Sequence, residues 1–108
     1  MSSPYSSSAP SPAEVQRQPG LSLIEFGTDW CSHCQAAQPL LDKVLPDFPE
    51  VRHLKIEDGS GRRLGRAYQV KLWPTLVFLR DGEEVTRLVR PTSLSALEEA
   101  FEQLVGEG

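Results

Sequence analysis

Apolar positions along the chain fall into runs whose period switches between that of a strand and that of a helix. Residues 21–26 are apolar apart from Ser22 and Glu25 and stop at Gly27, the pattern of a central strand buried on both faces. From Cys31 onward, Ala37, Leu40, Leu41, Val44 and Leu45 recur at helical spacing. They predict a helix that stops at Pro46 and is kinked at Pro39, where a backbone hydrogen bond is lost. Residues 51–56 form a second strand, closed by the turn-like Asp58-Gly59-Ser60-Gly61. Leu64, Ala67 and Tyr68 predict a short helix with Arg62, Arg63 and Arg66 on its solvent side. Residues 75–79, rich in β-branched and aromatic side chains, are the most strand-like run, and Asp81-Gly82 turns them into a hairpin with residues 84–89. Leu94, Leu97, Phe101, Leu104 and Val105 stripe a final helix, for which Ser95 and Glu98 form a capping box.

The order strand, helix, strand, helix, hairpin, helix predicts an α/β fold. Two strand–helix–strand crossovers and a closing hairpin give a mixed sheet with helices on both faces. There is no internal repeat. Residues 1–19 are rich in Ser and Pro and poor in apolar side chains, so they are expected to be a disordered tail. A helical turn over residues 13–18 would be stopped by Pro19-Gly20. Residues 20–108 then make one small domain.

Composition narrows the function classes. A net charge of −4 disfavours nucleic acid, which calls for basic faces. No apolar run is long enough to span a membrane, and residues 1–12 lack the basic and apolar regions of a secretory signal. The expected location is the cytoplasm, where structural disulfides are rare and a closely spaced cysteine pair is catalytic or metal-binding.

The only two cysteines are Cys31 and Cys34, in Asp29-Trp30-Cys31-Ser32-His33-Cys34, at the junction of a strand and a helix. A pair at this spacing can close a disulfide locally and so carry two electrons. A helix N-terminus favours the thiolate, which makes Cys31 the candidate nucleophile. Cys34, one turn further on and more buried, would resolve the mixed disulfide. An intrachain zinc site fits poorly, because only His33 and His53 are available beside the two cysteines and His33 lies between them.

With Trp30-Cys31-x-x-Cys34, the mid-helix Pro39, Trp73-Pro74-Thr75 ahead of the longest strand and the Asp81-Gly82 turn in this order, the sequence resembles the thioredoxin family from about Leu21 to the C-terminus. The resemblance implies a thioredoxin-like fold with a central mixed sheet of four to five strands. It also implies a thiol–disulfide oxidoreductase whose only redox group is the Cys31–Cys34 disulfide, with no separate cofactor. Pro74 would be a cis-proline facing the cysteines, and Trp30, Trp73 and Pro74 would line the substrate groove. Glu25, an anomaly in an apolar strand, would take the proton of Cys34, with Lys55 on the neighbouring strand as its charge partner. Expected partners are protein or small-molecule disulfides and a thioredoxin-reductase-type or glutathione-based reductant, acting on a monomer.

Four features depart from the family pattern. Ser32-His33 replaces Gly-Pro between the cysteines, and a histidine near Cys31 can stabilise its thiolate, predicting a more oxidising couple. Trp73 replaces a smaller residue, either crowding the groove or filling space left by Gly27, where the family often has an aromatic side chain. Arg90-Pro91 stands where a glycine usually lets a partner approach. The family's first strand has no clear counterpart in the Ser/Pro segment. The competing reading is a redox-inactive adaptor using the Trp30, Trp73 and Pro74 surface. A glutaredoxin-like activity ranks lower, since the usual tyrosine beside the cysteines is missing.

Overall fold

A computed structural model describes residues 4–106 of the chain. The most apolar strand, β1 (Leu21–Gly27), lies inside a four-stranded sheet and is buried along nearly its whole length. It pairs in parallel with β2 (Arg52–Glu57) and antiparallel with β3 (Thr75–Arg80), which pairs antiparallel with β4 (Glu83–Val89), giving the order β2-β1-β3-β4. The β3–β4 hairpin turns at Asp81 and Gly82, both at positive φ (51° and 83°), as a two-residue hairpin loop requires.

Helices cover both faces. Alternation along the strands sends Leu23, Leu76 and Phe78 to one side, against Leu41 and Val44 of α2 (Ser32–Val44) and Leu97, Phe101 and Leu104 of α4 (Leu94–Gly106). Ile24, Phe26 and Val77 face the other side, against Val15 of α1 (Pro12–Gln16) and Leu64 of α3 (Arg63–Ala67). The α2 helix contains Pro39 and passes into a 3-10 turn, Leu45–Asp47, at Pro46.

Three expectations change. Only the first crossover returns a parallel strand: β3, reached through α3, runs antiparallel to β1. The α4 helix starts at Leu94, with the Ser93 hydroxyl accepting the Ala96 N–H at 3.2 Å, so Ser93 and not Ser95 is the capping side chain. The described part of the Ser/Pro segment is packed structure, not a disordered tail. Ser11 and Glu14 form a capping box on α1, Val15 and Tyr5 are buried, and Ser6 adds a parallel bridge outside β2. That bridge, held by Ser6 N–H to Lys55 O and Glu57 N–H to Ser6 O, each 2.8 Å, stands where a fifth strand would lie. A few anchors suffice because Tyr5 and Val15 bury apolar surface on opposite faces of the sheet.

Candidate active site

β1 delivers the chain to the cysteines, and α2 begins on them. Cys31 is the N-cap of α2, in extended backbone (φ −82°, ψ 122°), and its sulfur accepts the Cys34 N–H at 3.3 Å. A helix N-terminus leaves such N–H groups without partners and carries partial positive charge, so negative charge on Cys31 Sγ is stabilised there. Both thiols are free, Cys31 8 % and Cys34 1 % exposed. Burial first, and then the neighbouring Cys31, push the Cys34 thiol up to about 11, so at neutral pH it needs a base before it can attack.

Across the groove the Trp73–Pro74 bond is cis, and the Trp73 carbonyl lies 4.0 Å from Cys31 Sγ. Trp73 packs on the cysteine pair and meets Trp30 edge-on, with ring centroids 5.7 Å apart. Its indole N–H donates to Asp58 Oδ2 at 2.8 Å, and its carbonyl accepts from Arg90 Nε at 2.8 Å. Arg90 has φ 52°, a left-handed conformation that favours glycine, and its N–H donates to the Pro74 carbonyl. The side chain on that backbone is thus tied into the groove wall. Trp30, 72 % exposed, with Leu72 and Val89 leaves apolar surface open.

Glu25 is fully buried beneath α2. One oxygen, Oε2, accepts from the Tyr5 hydroxyl and from Gln38 Nε2, and Oε1 lies 2.8 Å from His53 Nε2. Burial raises its pKa, but the hydrogen bonds from His53, Tyr5 and Gln38 outweigh that and hold the carboxyl below its ordinary range. The place expected of Lys55 beside Glu25 is taken by His53, 2.8 Å from Oε1, while Lys55 donates to Gln38 Oε1 at 3.1 Å and sits 4.6 Å over the Tyr5 ring. His53 and Lys55 share one face of β2, so either could have been the partner.

The space above Gly27 is filled by Tyr5 rather than by Trp73. A Cβ there would stand 2.6 Å from Cys34 Sγ and 2.8 Å from the Tyr5 hydroxyl, so the two side chains meet over its bare Cα. His33 is exposed in the first turn of α2, and no hydrogen bond among the described residues ties it to either sulfur. Tyr5, Gln38, His53, Asp58 and Arg90 were not singled out from sequence for this site. None belongs to a periodic pattern, and a lone tyrosine in a Ser/Pro segment carries no local signal. In the sequence His53 stands out only as a possible zinc ligand, and Arg90 only as an obstacle to partners.

Comparison with known proteins agrees with this geometry. Residues 8–103 match the Thioredoxin family model. Curated relatives include a thioredoxin of Chlamydia trachomatis serovar D, 39 % identical over 70 residues, which are 65 % of this chain and 69 % of that protein. The structure superposes on reduced thioredoxin 2 from Pseudomonas aeruginosa PAO1 at TM-score 0.89 and 68 % identity, over 100 % of both chains. It also matches oxidised mitochondrial thioredoxin 3 from Saccharomyces cerevisiae at TM-score 0.73 and 26 % identity, over 84 % of this chain and 85 % of that one. A cysteine pair on a helix N-terminus, opposite a cis-proline in this fold, is the site of a thiol–disulfide oxidoreductase, and the chain belongs to the thioredoxin family.

Proposed function

We propose that the protein reduces disulfides in extended protein segments that lie along Trp30, Trp73 and Pro74, in the cytoplasm, where thiols stay reduced. Cys31 attacks the substrate disulfide, forming a mixed disulfide and releasing one substrate thiol. Cys34 then attacks Cys31 Sγ, releasing the second thiol and leaving the Cys31–Cys34 disulfide, so two electrons pass to the substrate. Glu25 is the final acceptor of the Cys34 proton, and Lys55 orients Gln38 and Tyr5 beside it. His33 tunes the couple through charge. A reductase of the thioredoxin-reductase type or glutathione restores the dithiol, and the protein acts as a monomer.

The observation that carries this reading is Cys31 Sγ capping α2 within 4.0 Å of the carbonyl that precedes the cis-proline. The test is insulin reduction by the wild type and by Cys31→Ser. Turnover by the wild type and none by the variant is expected. Equal activity, or none in either, would establish an adaptor that binds through the same surface.

A further inference from the structure

Between Cys34 and Glu25 stands a hydroxyl from a part of the chain outside the family match, which begins at residue 8. The Tyr5 oxygen donates to Glu25 Oε2 and faces Cys34 Sγ across the bare Cα of Gly27. Its position is fixed from several sides. The Tyr5 N–H donates to Asp29 Oδ1 at 3.0 Å, the next residue bridges to β2, and Lys55 covers the ring. Tyr5 itself is 8 % exposed.

We propose that Tyr5 is a catalytic residue of the resolving step, relaying the Cys34 proton to Glu25; this rests on the oxidoreductase reading above. As Cys34 Sγ bonds to Cys31 Sγ and the bond from Cys31 to the substrate sulfur breaks, the Cys34 S–H proton passes to the Tyr5 oxygen. The Tyr5 O–H proton moves at the same time to Glu25 Oε2. Tyr5 ends as a neutral phenol with its hydrogen turned toward Cys34, Glu25 ends as the acid, and the substrate leaves as a thiolate. Burial and the adjacent carboxylate hold the Tyr5 hydroxyl well above its ordinary pKa, so it passes a proton on without existing as a phenolate. Because Glu25 is a weak base, its transfer from the thiol must be concerted with sulfur–sulfur bond formation. His53, 2.8 Å from Glu25 Oε1, is half-buried at a pocket of about 420 Å³ that Ser6, Gln38 and Lys55 also line.

The groups facing the Tyr5 hydroxyl are Glu25 from β1 and Cys34 from α2, with Lys55 of β2 over the ring. Tyr5→Phe keeps the ring and removes the hydroxyl, and with it the relay and one of the two hydrogen bonds to Glu25 Oε2. The reduced protein mixed with excess Ellman's reagent releases coloured thiolate in two phases, the first from attack by Cys31 and the second from resolution by Cys34. In Tyr5→Phe the first phase should be unchanged, and the second should slow about a hundredfold at neutral pH, recovering as the pH approaches the thiol's own ionisation. Glu25→Gln should slow the same phase, and the double variant should lose no more than the slower single, because both remove one path. A second phase in Tyr5→Phe that matches the wild type at every pH, or losses that multiply in the double variant, would overturn the relay. Equal slowing of both phases would show a structural role and overturn it too. Failure of the wild type to reduce insulin would instead count against the oxidoreductase reading, since the two-phase release reports on the cysteines without any protein substrate.

Discussion

Glu25, buried beneath the cysteine-bearing helix, bears on the stability of the chain. A carboxylate buried in an apolar strand is tolerated because every oxygen has a partner, two on Oε2 and one on Oε1. Its folded-state pKa lies below the ordinary value, so as pH falls the unfolded chain takes up the proton first. The stabilisation is therefore complete above the ordinary glutamate value of about 4.3 and is lost as pH falls from there through the depressed folded value. Urea denaturation across that window should show stability falling with pH in the wild type and falling less steeply in Glu25→Gln. Equal slopes would mean that other carboxylates, such as Glu14, whose pKa is also lowered, carry the acid sensitivity. The anomaly at Glu25 was legible in the sequence because an acid interrupts an apolar run. Its partner was not, since His53 and Lys55 lie two apart on one face of β2 and spacing cannot choose between them.

At the scale of one element, α2 sets the character of the couple in its first turn. Cys31 as N-cap and the N–H of Cys34 favour a charged sulfur, and Ser32 and His33 lie on the solvent side of that turn. With no hydrogen bond to either sulfur among the described residues, the tuning proposed for His33 would have to run through charge, which solvent and salt weaken. Replacing His33 with Pro is tolerable this early in a helix and removes the imidazole. The His33→Pro couple should be more reducing, shifting equilibrium against glutathione about tenfold, or ~30 mV. An unchanged potential would place the tuning in Trp73 or the backbone instead. The cysteines, Pro39 and Pro74 were legible because each has its own residue type at a fixed place in the order. The Ser93 cap was obscured by Ser95, which offers an equally good capping box from sequence alone.

Across the whole molecule, the N-terminal segment belongs to the fold on both faces of the sheet. Val15 joins the cluster of Ile24, Phe26 and Ile56, while Tyr5 reaches the cysteines on the opposite side. Composition hid this, because two buried side chains in a Ser/Pro stretch leave no period to read, and their partners lie far along the chain. The two anchors separate what the segment does for stability from what it does for chemistry. Val15 is 4 % exposed, so Val15→Ala leaves a small cavity and should cost about 1–3 kcal/mol in urea denaturation while leaving both phases of thiolate release at the wild-type rate. Tyr5→Phe should lower stability as well, because Glu25 Oε2 loses one of its two donors, but unlike Val15→Ala it should also slow the second phase. If Val15→Ala slowed the second phase as well, the segment would be acting as one unit, and the hydroxyl would owe its effect to how tightly the whole of residues 5–16 is held.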